Sequence, residues 1–343
     1  MRLSNTSALS VALSFLIVIG VLYSFAPSCF SQEKEKVVPE KILFTAYEAF
    51  GTRFQSPMGV FYDSNHDEIL VADTGNHRVV ILDGTDGSEK TAFTHLVRNN
   101  KSDKATPGEP RSIAVNSLGD TFIADNLCNY VEVCDFRGTH LSDINLEEYI
   151  QLPVESSTSD LKPLALAVDS KDNLYVTTSS SIYVFNKELE FLKQIGHKGT
   201  GPDGFSAITG LWVDADRKIY VTDAQGLGLR VFSPEGNIML AFGEHEAGFN
   251  NFSMPVGVIS DRKGYIWVAD SLRHIVSIFS AEGKFLDYIG AYGYDAGYFA
   301  YPSGIAYNND RKIVVLERVN SRLQCFELPS FGVEVVKSNQ KVK

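Results

Sequence analysis

The feature that most constrains this chain is a short pattern that occurs six times. "EILVADTGNHRVVIL" (68–82) is followed by "DTFIADNLCNYVEVC" (120–134), "NLYVTTSSSIYVF" (173–185), "KIYVTDAQGLGLRVF" (218–232), "YIWVADSLRHIVSIF" (265–279) and "KIVVLERVNSRLQCF" (312–326). Each copy is two apolar runs about a polar turn, the pattern of a β-hairpin. In the first copy Gly75 and Asn76 tolerate positive φ, and Asp73 can bond its own backbone two residues on. The polar residue ending the first run falls at Asp73, Asp125, Thr178, Asp223, Asp270 and Glu317, giving steps of 52, 53, 45, 47 and 47. A period in the forties with four strand-sized pieces per unit predicts an all-β propeller.

Two further markers keep the same period. Upstream of each hairpin stands "PMGV" (57–60), "PRSI" (110–113), "PLAL" (163–166), "ITGL" (208–211), "PVGV" (255–258) or "PSGI" (302–305). The small third residue precedes the turn residue by 14 positions in the first unit and 13 in the other five. This short strand is placed innermost, where converging blades leave room only for Gly, Ala or Ser. Downstream, "SPEGNIMLAFG" (233–243), "SAEGKFLDYIG" (280–290) and more loosely "NKELEFLKQIG" (186–196) supply a fourth, outer strand. The expected fold is six four-stranded antiparallel blades. The segment "EKILFTAYEAFG" (40–51) resembles the outer strands and has no inner strands before it. It is therefore assigned to the sixth blade, whose own strands run from about Tyr301 to Leu328, so that β-pairing of the chain ends closes the ring and leaves no open edge.

The small residue, the "YVAD"-like strand end and the following "xxNxRV" resemble NHL repeats, most closely in "VADTGNHRVVIL" and "VADSLRHIVSIF". The resemblance implies a six-bladed NHL propeller over residues 40–330. It departs in the third unit, where "TTSSS" lacks the acid, and in the fourth, where "AQGLG" is about two residues longer.

Before the propeller lies "ALSVALSFLIVIGVLYSFA" (8–26), 19 residues without a charge, preceded by Arg2. It is read as a hydrophobic helix acting as a signal peptide, cleaved after Ser28 or Ser31, or as a membrane anchor. Residues 1–31 are thus an export element, 32–39 a linker and 331–343 a C-terminal tail. Either route makes the propeller extracytoplasmic, whether periplasmic or secreted, and the membrane is met only through this segment. The formal net charge of −11 with no basic run argues against nucleic acid as a partner. The four cysteines show no metal or haem spacing.

In a four-stranded meander, the turns between strands two and three emerge on the same face as the crossings to the next blade. That connector-rich face collects Arg53, His77, His197, His245, Phe249, Arg273, His274, Tyr292, Tyr294, Tyr298 and Arg318, the candidate binding residues. The repeated acids Asp73, Asp125, Asp223, Asp270 and Glu317 are assigned to turn structure. A carboxylate there accepts backbone N–H groups, and Arg78 or Arg322 five residues on can pair with it. A channel metal needs several ligands from different blades at one depth. His77 and His274 share one repeat offset, no third blade repeats it, and exposed loop histidines are the alternative. The break at 138–160 is expected to hold a short helix around "DINLEEYIQL" that caps one rim, or to be a surface excursion.

No GxSxG, HExxH, P-loop or dinucleotide fingerprint is present. The glycines of "GHKGTGPDG" (196–204) lead into a strand and lack the Lys-Ser/Thr of a phosphate loop. The function expected is a non-catalytic scaffold that binds a protein partner and carries no cofactor. The alternative is a propeller enzyme with zinc or calcium in its channel. Similar propellers include the lyase that releases amidated peptides, lactone hydrolases and strictosidine synthase-like proteins. No catalytic residue can be transferred from them. RNA binding, known for some animal NHL proteins, is disfavoured by the acidity and the export element.

Overall fold

The computed structural model describes residues 41–99, 102–149, 161–244, 248 and 250–328. All belong to one compact unit, Val37–Lys343. The proposed export helix and the tail lie outside the described residues, and no helix among those described is long and apolar enough to cross a membrane.

The described residues form six four-stranded antiparallel sheets. Blade 1 comprises Gly59–Asp63, Glu68–Asp73, Arg78–Asp83 and Glu89–Thr94. Blade 2 comprises Pro110–Val115, Thr121–Asp125, Tyr130–Cys134 and His140–Asn145. Blades 3, 4 and 5 begin at Leu166–Val168, Ile208–Val213 and Pro255–Ser260. Blade 6 takes Pro302–Tyr307, Lys312–Glu317 and Arg322–Glu327, and its fourth strand is Lys41–Ala46. That strand pairs antiparallel with the last one, Lys41 opposite Glu327 and Ala46 opposite Leu323.

Burial explains the sequence texture. Second strands such as Thr121–Asp125 and Ile266–Asp270 are buried at every residue, because neighbouring blades cover both faces of the sheet. They consequently read as continuous apolar runs. Outer strands alternate instead, as Phe191–Ile195 does. The small residue of the inner marker sits where blades converge. A Cβ on Gly59 would lie 2.3 Å from the Arg111 carbonyl oxygen, and one on Gly210 would lie 2.9 Å from the Gly257 Cα. Side chains there would force adjacent inner strands apart.

The spacing of 14 in the first unit has a local cause. Blade 1 pairs Tyr62 with Ile69, leaving six residues between them, whereas blade 2 pairs Val115 with Thr121, leaving five. The extra residue is therefore in the turn opposite the connector face, and the hairpin itself is unchanged.

Three expectations need adjustment. Part of the 138–160 break is the outer strand of blade 2, His140–Asn145, and the expected helix is only a 3₁₀ turn, Leu146–Glu148. Asn145 caps that turn by accepting the Glu147 N–H. The crossing from blade 1 to blade 2 carries a hairpin, Leu96–Asn99 with Ser102–Pro107, that the sequence reading left unassigned. Finally, the N-terminal outer strand stops at Ala46, and Glu48–Ala49 pairs with Thr52–Arg53 in a separate small hairpin.

Candidate functional site

Four of the repeated acids bind the chain that enters their blade. Asp223 accepts the main-chain N–H groups of Ser206 and Ala207 at 3.0 and 2.9 Å, and Asp270 those of Ser253 and Met254 at 2.7 and 3.0 Å. Asp73 accepts Gln55 N–H at 2.8 Å, and Glu317 accepts Ala300 N–H at 2.8 Å. An arginine on the third strand completes three of these latches: Arg78–Asp73 at 2.7 Å, Arg230–Asp223 at 3.2 Å and Arg322–Glu317 at 2.5 Å. The same guanidiniums donate to carbonyls of the crossing above. Arg322 reaches those of Tyr294, Asp295 and Tyr298, and Arg230 those of Pro202 and Gly204. Arg230 stands seven residues after its acid because of the longer "AQGLG" turn. In blade 3 the acid position is Thr178, and the neighbouring Thr177 hydroxyl accepts the N–H of the inner-marker residue Ala165.

Blade 2 uses its acid differently. Asp125 accepts Leu127 N–H at 2.6 Å, and its other oxygen lies 3.0 Å from Nε2 of buried His95, without hydrogen-bond alignment. His95 Nδ1 lies 3.0 Å from Glu132, which also meets His140 at 3.2 Å. Burial pushes the His95 pKa down, but Asp125 and Glu132 outweigh it and hold the imidazole up at about 9. His95 is thus a cationic pin between the blade 1 crossing and blade 2. Sequence reasoning missed it because its partners lie 30 and 37 residues away.

The candidate face residues divide into engaged and open groups. His77 adopts φ 57° and its Nδ1 lies 2.6 Å from the Gly108 carbonyl oxygen. His274 Nδ1 accepts the Tyr301 N–H, and its ring packs 4.9 and 4.6 Å from those of Tyr292 and Tyr301. Burial lowers the His274 pKa. His197 is exposed, 3.7 Å from Asp203. Arg273 donates to the Asn251 and Gly248 carbonyls at 2.6 and 2.8 Å, so it shapes its crossing. Arg53 and Arg318 are exposed. His245 and Phe249 lie outside the described residues. The histidines are held separately on blades 1, 4 and 5 or their crossings, and no group of three His, Cys, Asp or Glu fit to hold a metal occurs among the described residues.

Apolar side chains gather on this face at blades 5 and 6. Tyr294 is 64% exposed, Leu272 56%, Tyr292 55% and Val319 52%. The Tyr292 and Tyr294 hydroxyls are 3.0 Å apart, and the two rings meet edge on at 5.9 Å.

A channel of about 560 Å³ runs between the inner strands of all six blades. At the end away from the connectors, Asp63, Asp169, Asp172 and Asp214 line it. Three of these carboxylates serve their own turns, Asp63 accepting Asn65 N–H, Asp169 those of Lys171 and Asn173, and Asp214 that of Lys218, whereas Asp172 accepts the N–H and hydroxyl of Ser117 from the neighbouring blade. With Asn116, Asp261 and Asn308, residues 63, 169 and 214 recur once per blade with the period of the repeat. That period was the signal that could have found them. At the connector end the channel's charged residues are Arg111 and Arg318.

Residues 54–82 and 299–326 match the NHL repeat, and residues 125–237 match the DUF5128 family, described as a 6-bladed beta-propeller. The protein is an NHL-repeat protein built as a six-bladed β-propeller. No curated protein sequence matches the chain. Among solved structures it is similar to a structural-genomics protein of unknown function from Bacteroides thetaiotaomicron, with a TM-score of 0.58 and 15% identity over 84% of this chain and 75% of the other. It is also similar to a streptogramin B lyase (TM-score 0.56, 11% identity, 83% and 97% covered). A catalytically inactive virginiamycin B lyase from Staphylococcus aureus with quinupristin follows (TM-score 0.54, 12% identity, 80% and 80% covered). Identities this low speak for the fold alone.

Proposed function

We propose that the protein is an exported or membrane-anchored propeller that binds a protein partner through its connector-rich face, without catalysis. The observation that carries this reading is the aromatic patch of blades 5 and 6, where Leu272, Tyr292, Tyr294 and Val319 stand open on a framework of buried latches. Tyrosine supplies large contact area with few rotatable bonds, which suits it to the centre of an interface. His274, packed between Tyr292 and Tyr301, limits their motion before any partner arrives. The pairing of Lys41–Ala46 with Arg322–Glu327 supports reading this platform as a closed ring. The uncharged stretch 8–26 delivers it across the membrane.

The test is affinity capture from an extracytoplasmic extract with the wild type and with a Leu272→Ala, Tyr292→Ala, Tyr294→Ala variant. All three positions are more than half exposed, so the variant should keep the wild-type melting temperature. Partners retained by the wild type and lost by the variant support the reading. Identical sets on both would sink it.

A further inference from the structure

The two arginines at the connector end of the channel have no carboxylate partner among the described residues. Arg111 occupies the second position of the blade 2 inner marker, and among the described residues its one side-chain hydrogen bond is a 3.4 Å contact with Asn126 Oδ1. Arg318 sits in the blade 6 hairpin turn, and its guanidinium makes no hydrogen bond among the described residues. Neither has a carboxylate within ion-pair reach among those residues, in contrast to Arg78, Arg230 and Arg322. Lys162 donates to the backbone carbonyl of Asn126, the residue whose side chain Arg111 meets. Burial and the like charge of Arg318 both work against the charged form of Arg111. A chain with net charge −11 therefore gathers uncompensated positive charge at one end of its channel.

The rest of the channel limits what can neutralise that charge. Beyond the arginines its wall carries apolar side chains, among them Val60, Leu211 and Trp212, interleaved with polar ones. The Trp212 indole N–H is buried with no acceptor among the described residues. The far end is lined by carboxylates, so an anion is attracted at one end and repelled at the other. A cavity of about 560 Å³ suits a small organic molecule. We propose that the channel binds an amphiphilic small-molecule anion, with a carboxylate or phosphate monoester head on Arg111 and Arg318 and an apolar body between Val60, Leu211 and Trp212. Guanidinium presents paired N–H donors that match both head groups. This site stands independently of a protein partner at the aromatic patch.

The test is calorimetric titration of the full-length protein with octanoate, monooctyl phosphate and octanol, with tryptophan emission as a second readout. Trp212 lines the channel, whereas the other tryptophan, Trp267, is fully buried. At least one anion is expected to bind one to one, at least tenfold tighter than octanol, and to shift the emission. The tighter of the two identifies the head group as carboxylate or phosphate. An Arg111→Gln, Arg318→Gln variant should bind the anions no better than octanol. Arg318→Gln alone, at an exposed position, should weaken them severalfold and keeps the test available if the double variant does not fold. The Leu272, Tyr292, Tyr294 variant should bind octanoate unchanged, which separates this proposal from the patch. Octanol binding as tightly as both anions, full affinity in the arginine variants, or no anion binding below millimolar concentration would overturn it.

Discussion

Two sets of arginines serve the connector face in opposite ways. Arg78, Arg230 and Arg322 each meet a buried carboxylate and spend their remaining donors on the crossing above. Arg111 and Arg318 meet no carboxylate and face the channel. A charge whose partners are all internal shapes the fold. Arg111, held without a counter-charge, bears a cost in desolvation and in repulsion from Arg318, and the proposed anion would relieve it.

The largest expected effect breaks a latch. Glu317→Ala leaves Arg322, 1% exposed, without its counter-charge, and should cost about 3–5 kcal/mol in urea unfolding. A cost below 1 kcal/mol would mean that the carbonyls around Arg322 suffice and that the two sets do not differ.

The His95 pin adds a pH dependence. Its folded pKa of about 9 lies above the ordinary value of 6.5. Its stabilising contribution is therefore complete below about pH 6.5 and is lost as the pH rises through 9. Over that window stability should fall by at most about 3 kcal/mol, and His95→Asn should flatten the profile. An unchanged slope in the variant would remove His95 from the account.

Arg111 should behave in the reverse sense to a latch. Arg111→Met removes an uncompensated, part-buried cation and should stabilise the ligand-free protein by about 1 kcal/mol, seen as a melting temperature raised by roughly 2 °C. Destabilisation instead would show that Arg111 is structural after all. The smallest effect belongs to Arg318→Gln, an exposed site that should change stability by less than about 0.5 kcal/mol while weakening anion binding.

Much of the fold was legible because a propeller writes itself as a local repeat. Hairpin spacing, the inner small residue and the outer-strand resemblance of residues 40–51, of which 41–46 form the strand, all follow from contacts that every blade must make. Asp73, Asp223, Asp270 and Glu317 were conspicuous for the same reason, and Arg78 and Arg322 stand five residues from their acids. Arg230 was hidden by a longer turn. At 138–160, read as a short helix or a surface excursion, the described part is an outer strand and a 3₁₀ turn, Leu146–Glu148, because too few residues of "DINLEEYIQL" follow the strand there to propagate a helix.

The sequence by itself determined the number of blades, most of the strands within them and the four acids that fasten an entering crossing, because those depend on residues within about one repeat of each other. Only the tertiary structure decided what faces the channel. Met58, Arg111, Leu164, Thr209, Val256 and Ser303 share one position in the repeat but no chemistry, so no pattern marks them. They become one site only when six inner strands converge at a common depth, and Arg318 joins them from a hairpin turn more than 200 residues from Arg111.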